Sequence, residues 1–175
     1  MARLPYPDPT TLAPETQEFL GKLPPLNLFR MMAGGEGLLH GFVRLGNHLL
    51  YKTKLDPVLR EIAIIRVGVL SKASYEQFHH HRIARQLKMS DTLIAAIAQG
   101  PDDPAFDDLQ RLVMRYSDDV VANVRASDKT FQALRDRLPL IELQELTVTI
   151  GYYMMACRFL ENFDIDIEAG AAGPT

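Results

Sequence analysis

The stretch LREIAIIRVGVLSKASYEQFHHH, from Leu59 to His81, decides the fold. Its first half is apolar at nearly every position. It is preceded by Asp56-Pro57, an N-cap residue followed by proline at the first helical position. A helix is therefore predicted from Pro57 to about Leu70, its apolar surface broken only by Arg60, Glu61 and Arg66. Glu61 falls on the flank of the Val58/Ile62/Ile65/Val69 stripe, and Arg60 is the one of the three expected to reach water. Ser74 and Gln77 have capping-box spacing, so a second helix is predicted from Tyr75 to about Leu87. The short link from Ser71 to Ser74 makes the pair an antiparallel hairpin. A helix apolar all round must be covered on all sides, which calls for a multi-helix bundle, self-association, or both.

On a wheel of about 100° per residue, Ile83 and Leu87 define the apolar face of the second helix. Glu76 and His80 fall on that face one turn apart, and His79 lies at its edge beside Tyr75. His81 points away, towards solvent. Packing as a hairpin brings Glu61 near the Glu76/His80 face. Burial raises a carboxyl and lowers an imidazole, while pairing opposes both shifts. A Glu–His pair in a dry crevice can therefore move protons near neutral pH. It can equally tie two helices together with no chemistry, since structural ion pairs also perturb titration. The residues leave both open. Glu76 with His79 or His80 also has the one-turn spacing of two ligands to a shared ion. Di-metal bundles use Glu-x-x-His on two helices, and here it occurs once, with His40 and His48 elsewhere. No metal and no cofactor is expected.

Outward from this hairpin the chain reads as helix throughout. Short helices are predicted in TTLAPETQEFLGKL and from Leu26 to Gly34-Gly35. A longer one follows in EGLLHGFVRLGNHLLYK, with Leu38, Phe42, Leu45 and Leu49 at helical spacing. Ser90 caps DTLIAAIAQ, which Gly100-Pro101 ends. The segments PAFDDLQRLVMRYSDDVVAN and SDKTFQALRDRL follow. IELQELTVTIGYYMMACRFLENF is last, and long and apolar enough to pack centrally. It echoes the first helix weakly, LQEL against LREI. Both contain β-branched runs, but their flanks keep helical spacing. The expected architecture is all-α and single-domain. Residues 1–19 form an N-terminal extension with the first short helix, 20–168 a helical domain, and 169–175 a frayed tail.

The chain of 175 residues can bury a sizeable core unaided. Its net charge of −3, without a Lys/Arg cluster, argues against nucleic acid as a partner. No apolar run approaches the ~20 residues of a spanning helix, so no membrane partner is expected. The proline-rich start is no signal peptide. The single cysteine, Cys157, allows no internal disulfide and suits a reducing cytoplasm.

The segment LDPVLREIAIIRVGVLSKASYEQFHHHRIARQLKMSDTLIAAI resembles the core of the carboxymuconolactone decarboxylase family, which includes the alkyl hydroperoxidase D-like proteins. The matching features are LREIAIIRVG, the YE-x-x-x-H step and the A-x-x-x-x-(M/L)-S turn, and the likeness extends over roughly residues 20–168. The resemblance implies an all-helical bundle that assembles as a homo-oligomer, a trimer or hexamer. Its peroxidase branch uses a Cys-x-x-Cys pair with a glutamate and a histidine as a proton relay. Carried over, the glutamate falls on Glu61 and the histidine on His80, while the cysteine positions fall on Ala73 and Glu76. The relay ends are present without the thiols, so peroxidase or peroxiredoxin-type activity is disfavoured. Arg60-Glu61 and His80 resemble elements of the decarboxylase branch. The first expectation is therefore a cofactor-independent lyase or isomerase acting on a small carboxylated or lactone substrate. Glu61 and His80 would be the acid–base pair, Tyr75, Glu76 and His79 the pocket, and Arg66 the carboxylate anchor. A non-catalytic oligomer that binds a small ligand is the alternative.

Overall fold

The computed structural model describes residues 1–170, the side chain of Glu36 excepted. These residues form helices α1 (Pro14–Gly21), α2 (Asn27–Met32), α3 (Glu36–Tyr51), α4 (Pro57–Leu70), α5 (Ser74–Gln86), α6 (Asp91–Gln99), α7 (Asp108–Asn123), α8 (Asp128–Arg135) and α9 (Leu140–Phe163), after one 3₁₀ turn at Pro9–Thr11. No strand occurs among the described residues. The all-α expectation therefore holds, the β-branched runs included. The frayed tail was expected over 169–175, of which 171–175 lie outside the described residues.

Helix α4 is the hub. Every residue from Leu59 to Gly68 is buried, and α5, α6, α7 and α9 pack around it. The chain's own helices thus cover a helix that is apolar all round, and self-association is not required for that purpose. Its start is as read. The Asp56 carboxylate accepts from the N–H groups of Val58 (2.8 Å) and Leu59 (3.1 Å), with Pro57 at the first helical position. The long α9 is the second central helix. Glu145, its counterpart to Glu61 in the sequence echo, accepts from the backbone N–H groups of Lys54 and Leu55, both at 2.8 Å. That glutamate is a splint for the α3–α4 link.

Four expectations need correction. Arg60 does not reach water; it is buried beside Glu61, because α4 is sheathed on that side too. Ser74 does not cap α5. The helix begins at Ser74 with Ala73 as N-cap, and Gln77 turns its amide to the carbonyls of Gly68 and Ala73. The buried face of α3 holds Leu39, Phe42, Val43 and Leu49, while Leu38 and Leu45 are exposed. His81 is half-buried rather than solvated. A close approach completes the hairpin. A Cβ at Gly68 would stand 3.2 Å from Gln77 Cγ and 3.6 Å from Glu76 Cβ, so its bare backbone lets α5 settle onto α4.

Candidate functional site

The hairpin brings four charged side chains together in the order Arg60, Glu61, His80, Glu76. Arg60 Nε lies 3.3 Å from Glu61 Oε1, and Glu61 Oε2 lies 2.6 Å from His80 Nδ1. On the far side of the ring, His80 Nε2 lies 3.0 Å from Glu76 Oε1. Glu61 has no exposed surface, and the other three are buried. An imidazole with a carboxylate on each nitrogen donates from both, which is the imidazolium's pattern. Burial alone would depress its basicity. Glu61, then Glu76, outweigh that and raise the His80 pKa to about 10. The ring also stands edge-on to Tyr153, with centroids 4.9 Å apart.

This chain of charges forms part of the wall of a cavity of about 390 Å³ between α3, α5, α9 and the segment leading into α2. Glu76, His79 and His80 belong to the ionisable part of the lining, and Tyr75, Tyr152 and Tyr153 to the phenolic part. Phe42, Val43 and Leu28 belong to the apolar remainder. Burial keeps the hydroxyls of Tyr75, Tyr152 and Tyr153 protonated far above the ordinary tyrosine range. Arg82, Gln86 and Asn47 also line it, and Arg82 is exposed with no carboxylate partner among the described residues.

The geometry sorts the residues singled out from the sequence. Glu61, His80, Glu76, Tyr75 and His79 are brought together, with Glu61 behind His80 and the other four on the cavity. Arg66 is not among them, which corrects its expected role as carboxylate anchor. Its guanidinium is spent on both oxygens of Asp118 (2.6 and 3.1 Å) and on the carbonyl of Ile97 (3.0 Å), tying α4 to α7 and α6. Cys157 is buried outside the cavity lining. Burial and then the Glu76 charge raise its thiol to about 12, so it is no nucleophile. Among the described residues no group of three or more His, Cys, Asp or Glu is arranged to hold a metal ion. His40 stacks on Phe19 instead, with ring centroids 3.8 Å apart.

Glu168 was not singled out from the sequence, yet it touches the site. Its Oε1 accepts from the Tyr75 hydroxyl (2.5 Å) and the Asn27 backbone N–H (2.7 Å), and its Oε2 lies 2.9 Å from His79 Nε2. No local pattern announces a contact across 93 residues. The tyrosines of α9 did carry a signal, as adjacent aromatic residues in a helix read as central.

A model of the carboxymuconolactone decarboxylase family matches residues 36–119. A comparison with curated proteins gives no match. Among solved structures, the chain is similar to a peroxidase-related protein with an alkylhydroperoxidase AhpD core from Ralstonia eutropha. The TM-score is 0.83 and the identity 15%, covering 95% of this chain and 92% of that one. A peroxidase-related protein from Silicibacter gives a TM-score of 0.81 at 20% identity, covering 95% and 91%. The debrominase Bmp8, solved with 2,3,4-tribromopyrrole, gives 0.73 at 17% identity, covering 87% and 81%. At these identities the likeness shows the fold.

Proposed function

The chain belongs, over residues 36–119, to the carboxymuconolactone decarboxylase family, and from that premise we propose that it is a cofactor-independent decarboxylase or isomerase of a small carboxylated or lactone substrate. The observation that supports this most is the placement of His80 between Glu61 and Glu76 at the wall of a largely apolar cavity. Glu76 occupies the position that the resemblance gives to the second cysteine of the peroxidase branch. A carboxylate there exchanges protons where a thiol would exchange electrons. Glu61 and Arg60 sit behind the ring and hold its orientation and charge. Glu76 and His80 face the ligand and act as one proton-sharing pair.

For a substrate whose carboxylate is conjugated to a lactone, loss of CO₂ breaks a C–C bond and leaves its electron pair delocalised into the carbonyl. The Glu76–His80 pair then delivers a proton to carbon, and water at the cavity mouth restores it. The cavity volume lies near the lower end of the roughly 300–1,000 Å³ typical of ligand sites, which suits a one- or two-ring acid. Arg82 at the rim replaces Arg66 as anchor for the substrate's anionic group. Because Ala73 and Glu76 stand at the cysteine positions, the thiol chemistry of the peroxidase branch has no reacting atoms here.

The test is a panel of unsaturated lactone acids assayed for CO₂ release and product formation. Glu76→Gln and His80→Gln are each expected to lower turnover about 10²–10⁴-fold, the usual worth of a general acid–base group. If turnover is absent across the panel and no member raises the melting temperature, the non-catalytic reading, in which the Glu–His pair is structural, replaces the enzyme reading; a melting-temperature rise without turnover favours the ligand-binding oligomer.

A further inference from the structure

The cavity carries a second imidazole–carboxylate pair that lies outside the relay motif. His79 is next to His80 in sequence but about 100° further round α5, and it lines the same cavity. Its partner, Glu168, comes from the strap of residues 164–168 that follows α9. This is a built contact. Glu168 has three donors on its two oxygens: Tyr75 Oη–H, the Asn27 N–H and His79 Nε2. The strap is itself held, because Asn27 Nδ2 donates to the Asp166 carbonyl (2.9 Å) and the Asp166 side chain accepts from the Ala2 N–H (2.9 Å). With Nε2–H given to Glu168, a neutral His79 carries its lone pair on Nδ1, which has no hydrogen-bond partner among the described residues.

We propose that His79 is a second proton-handling group of this cavity, and that Glu168 is its positioning residue, fixing the tautomer that leaves Nδ1 free for a ligand. This rests on the acid–base reading above and narrows it to isomerisation. Nδ1 takes a proton from an acidic carbon beside the carbonyl of an unsaturated acid or lactone. That C–H bond breaks, its electron pair enters the conjugated system, and an N–H bond forms. The Glu76–His80 pair gives a proton to a second carbon, where the new C–H bond forms. The substrate keeps all its atoms, and water at the mouth returns the proton from His79 to the pair.

The electrostatics divide the two imidazoles in the same sense. Burial lowers the His79 pKa in spite of the pull of Glu168, whereas His80 is raised. The contact with Glu168 is thus a hydrogen bond from a neutral ring at neutral pH rather than an ion pair. The charged groups acting on His79 are Glu168 from the strap and Glu76 and His80 from its own helix. From α2, Asn27 contributes a backbone N–H to Glu168 and no charge. Two neighbouring groups pushed apart in this way are the pattern of an assigned base and acid.

The experiment uses the full chain with ¹⁵N-labelled histidine. At pH 7, His79 is expected neutral and protonated on Nε2, with His80 doubly protonated. Glu168→Ala is expected to convert His79 to a mixture of tautomers while the His80 resonances hold. In a second arm, α-angelica lactone, a β,γ-unsaturated lactone, is incubated in D₂O, and protein-dependent deuterium incorporation is followed. His79→Gln is expected to lower it about 10²-fold or more, and Glu168→Ala to lower it less and move its pH profile. A His79 proton on Nδ1, tautomers indifferent to Glu168→Ala, or no protein-dependent exchange that His79 supports would each overturn the proposal. Because His80 has its own resonances and the lactone-acid panel its own products, failure here is separable from failure of the lyase reading.

Discussion

His80 illustrates how a single side chain couples stability to pH. Its folded value, about 10, lies above the ~6.5 of an unfolded histidine. The stabilisation it brings is therefore complete below about pH 6.5 and disappears as pH climbs through the folded value. The difference in urea midpoint between wild type and His80→Gln should shrink steadily from pH 7 to pH 10. Glu61→Ala would leave Arg60 and His80 buried without their shared carboxylate, and should cost about 3–5 kcal/mol by denaturant unfolding. Thr149 works the other way. Its Oγ1 is fully buried with no hydrogen-bond partner among the described residues, so Thr149→Val should stabilise by about 1–3 kcal/mol and raise the melting temperature by a few degrees. Residue identities in the relay were legible because Glu61, Glu76 and His80 lie within one hairpin. The partner of Arg66 was not, because Asp118 arrives from 52 residues away. A guanidinium's direction depends on which carboxylate folding brings to it.

At the scale of elements, the caps written into the sequence largely do what their chemistry dictates. Asp56 and Ser90 start α4 and α6 as read, and Asp56→Ala should cost about 1 kcal/mol, measured by thermal melting. Helix α3 was misread for a physical reason. It carries two apolar ribbons, one through Leu38 and Leu45 and one through Leu39, Phe42, Val43 and Leu49. Periodicity alone does not tell which of them meets α9. Gly46 settles that choice, since a Cβ there would stand 2.5 Å from the Tyr152 hydroxyl, which donates to the Phe42 carbonyl at 3.0 Å. Gly46→Ala should therefore overpack the α3–α9 contact by about 1–3 kcal/mol and narrow the cavity that Gly46 lines, which titration with a ligand from the lactone-acid panel would register as weaker binding.

Across the whole molecule, the described helices include none long and apolar enough to cross a membrane. The N-terminal residues meet the end of α9 and the strap that follows it. The Arg3 N–H donates to the Phe163 carbonyl at 2.9 Å, and the strap beyond reaches the cavity through Glu168. The general layout, with two central helices, was readable from apolar content. The strap was not, because its role depends on tertiary closure alone. The sheathing of α4 on every side sets the slowest clock in the protein. Amide hydrogens of Ile62–Val67, buried in the middle of α4, are expected to exchange only through global unfolding, so that their isotope exchange should report the stability of the entire fold. The strap's few amides, outside any helix and largely at the surface, are expected to exchange sooner, through local opening. A ligand that seats against Tyr75 and His79 would thus slow the fast clock before it touches the slow one, and the two rates read together would tell occupancy of the cavity from simple tightening of the protein.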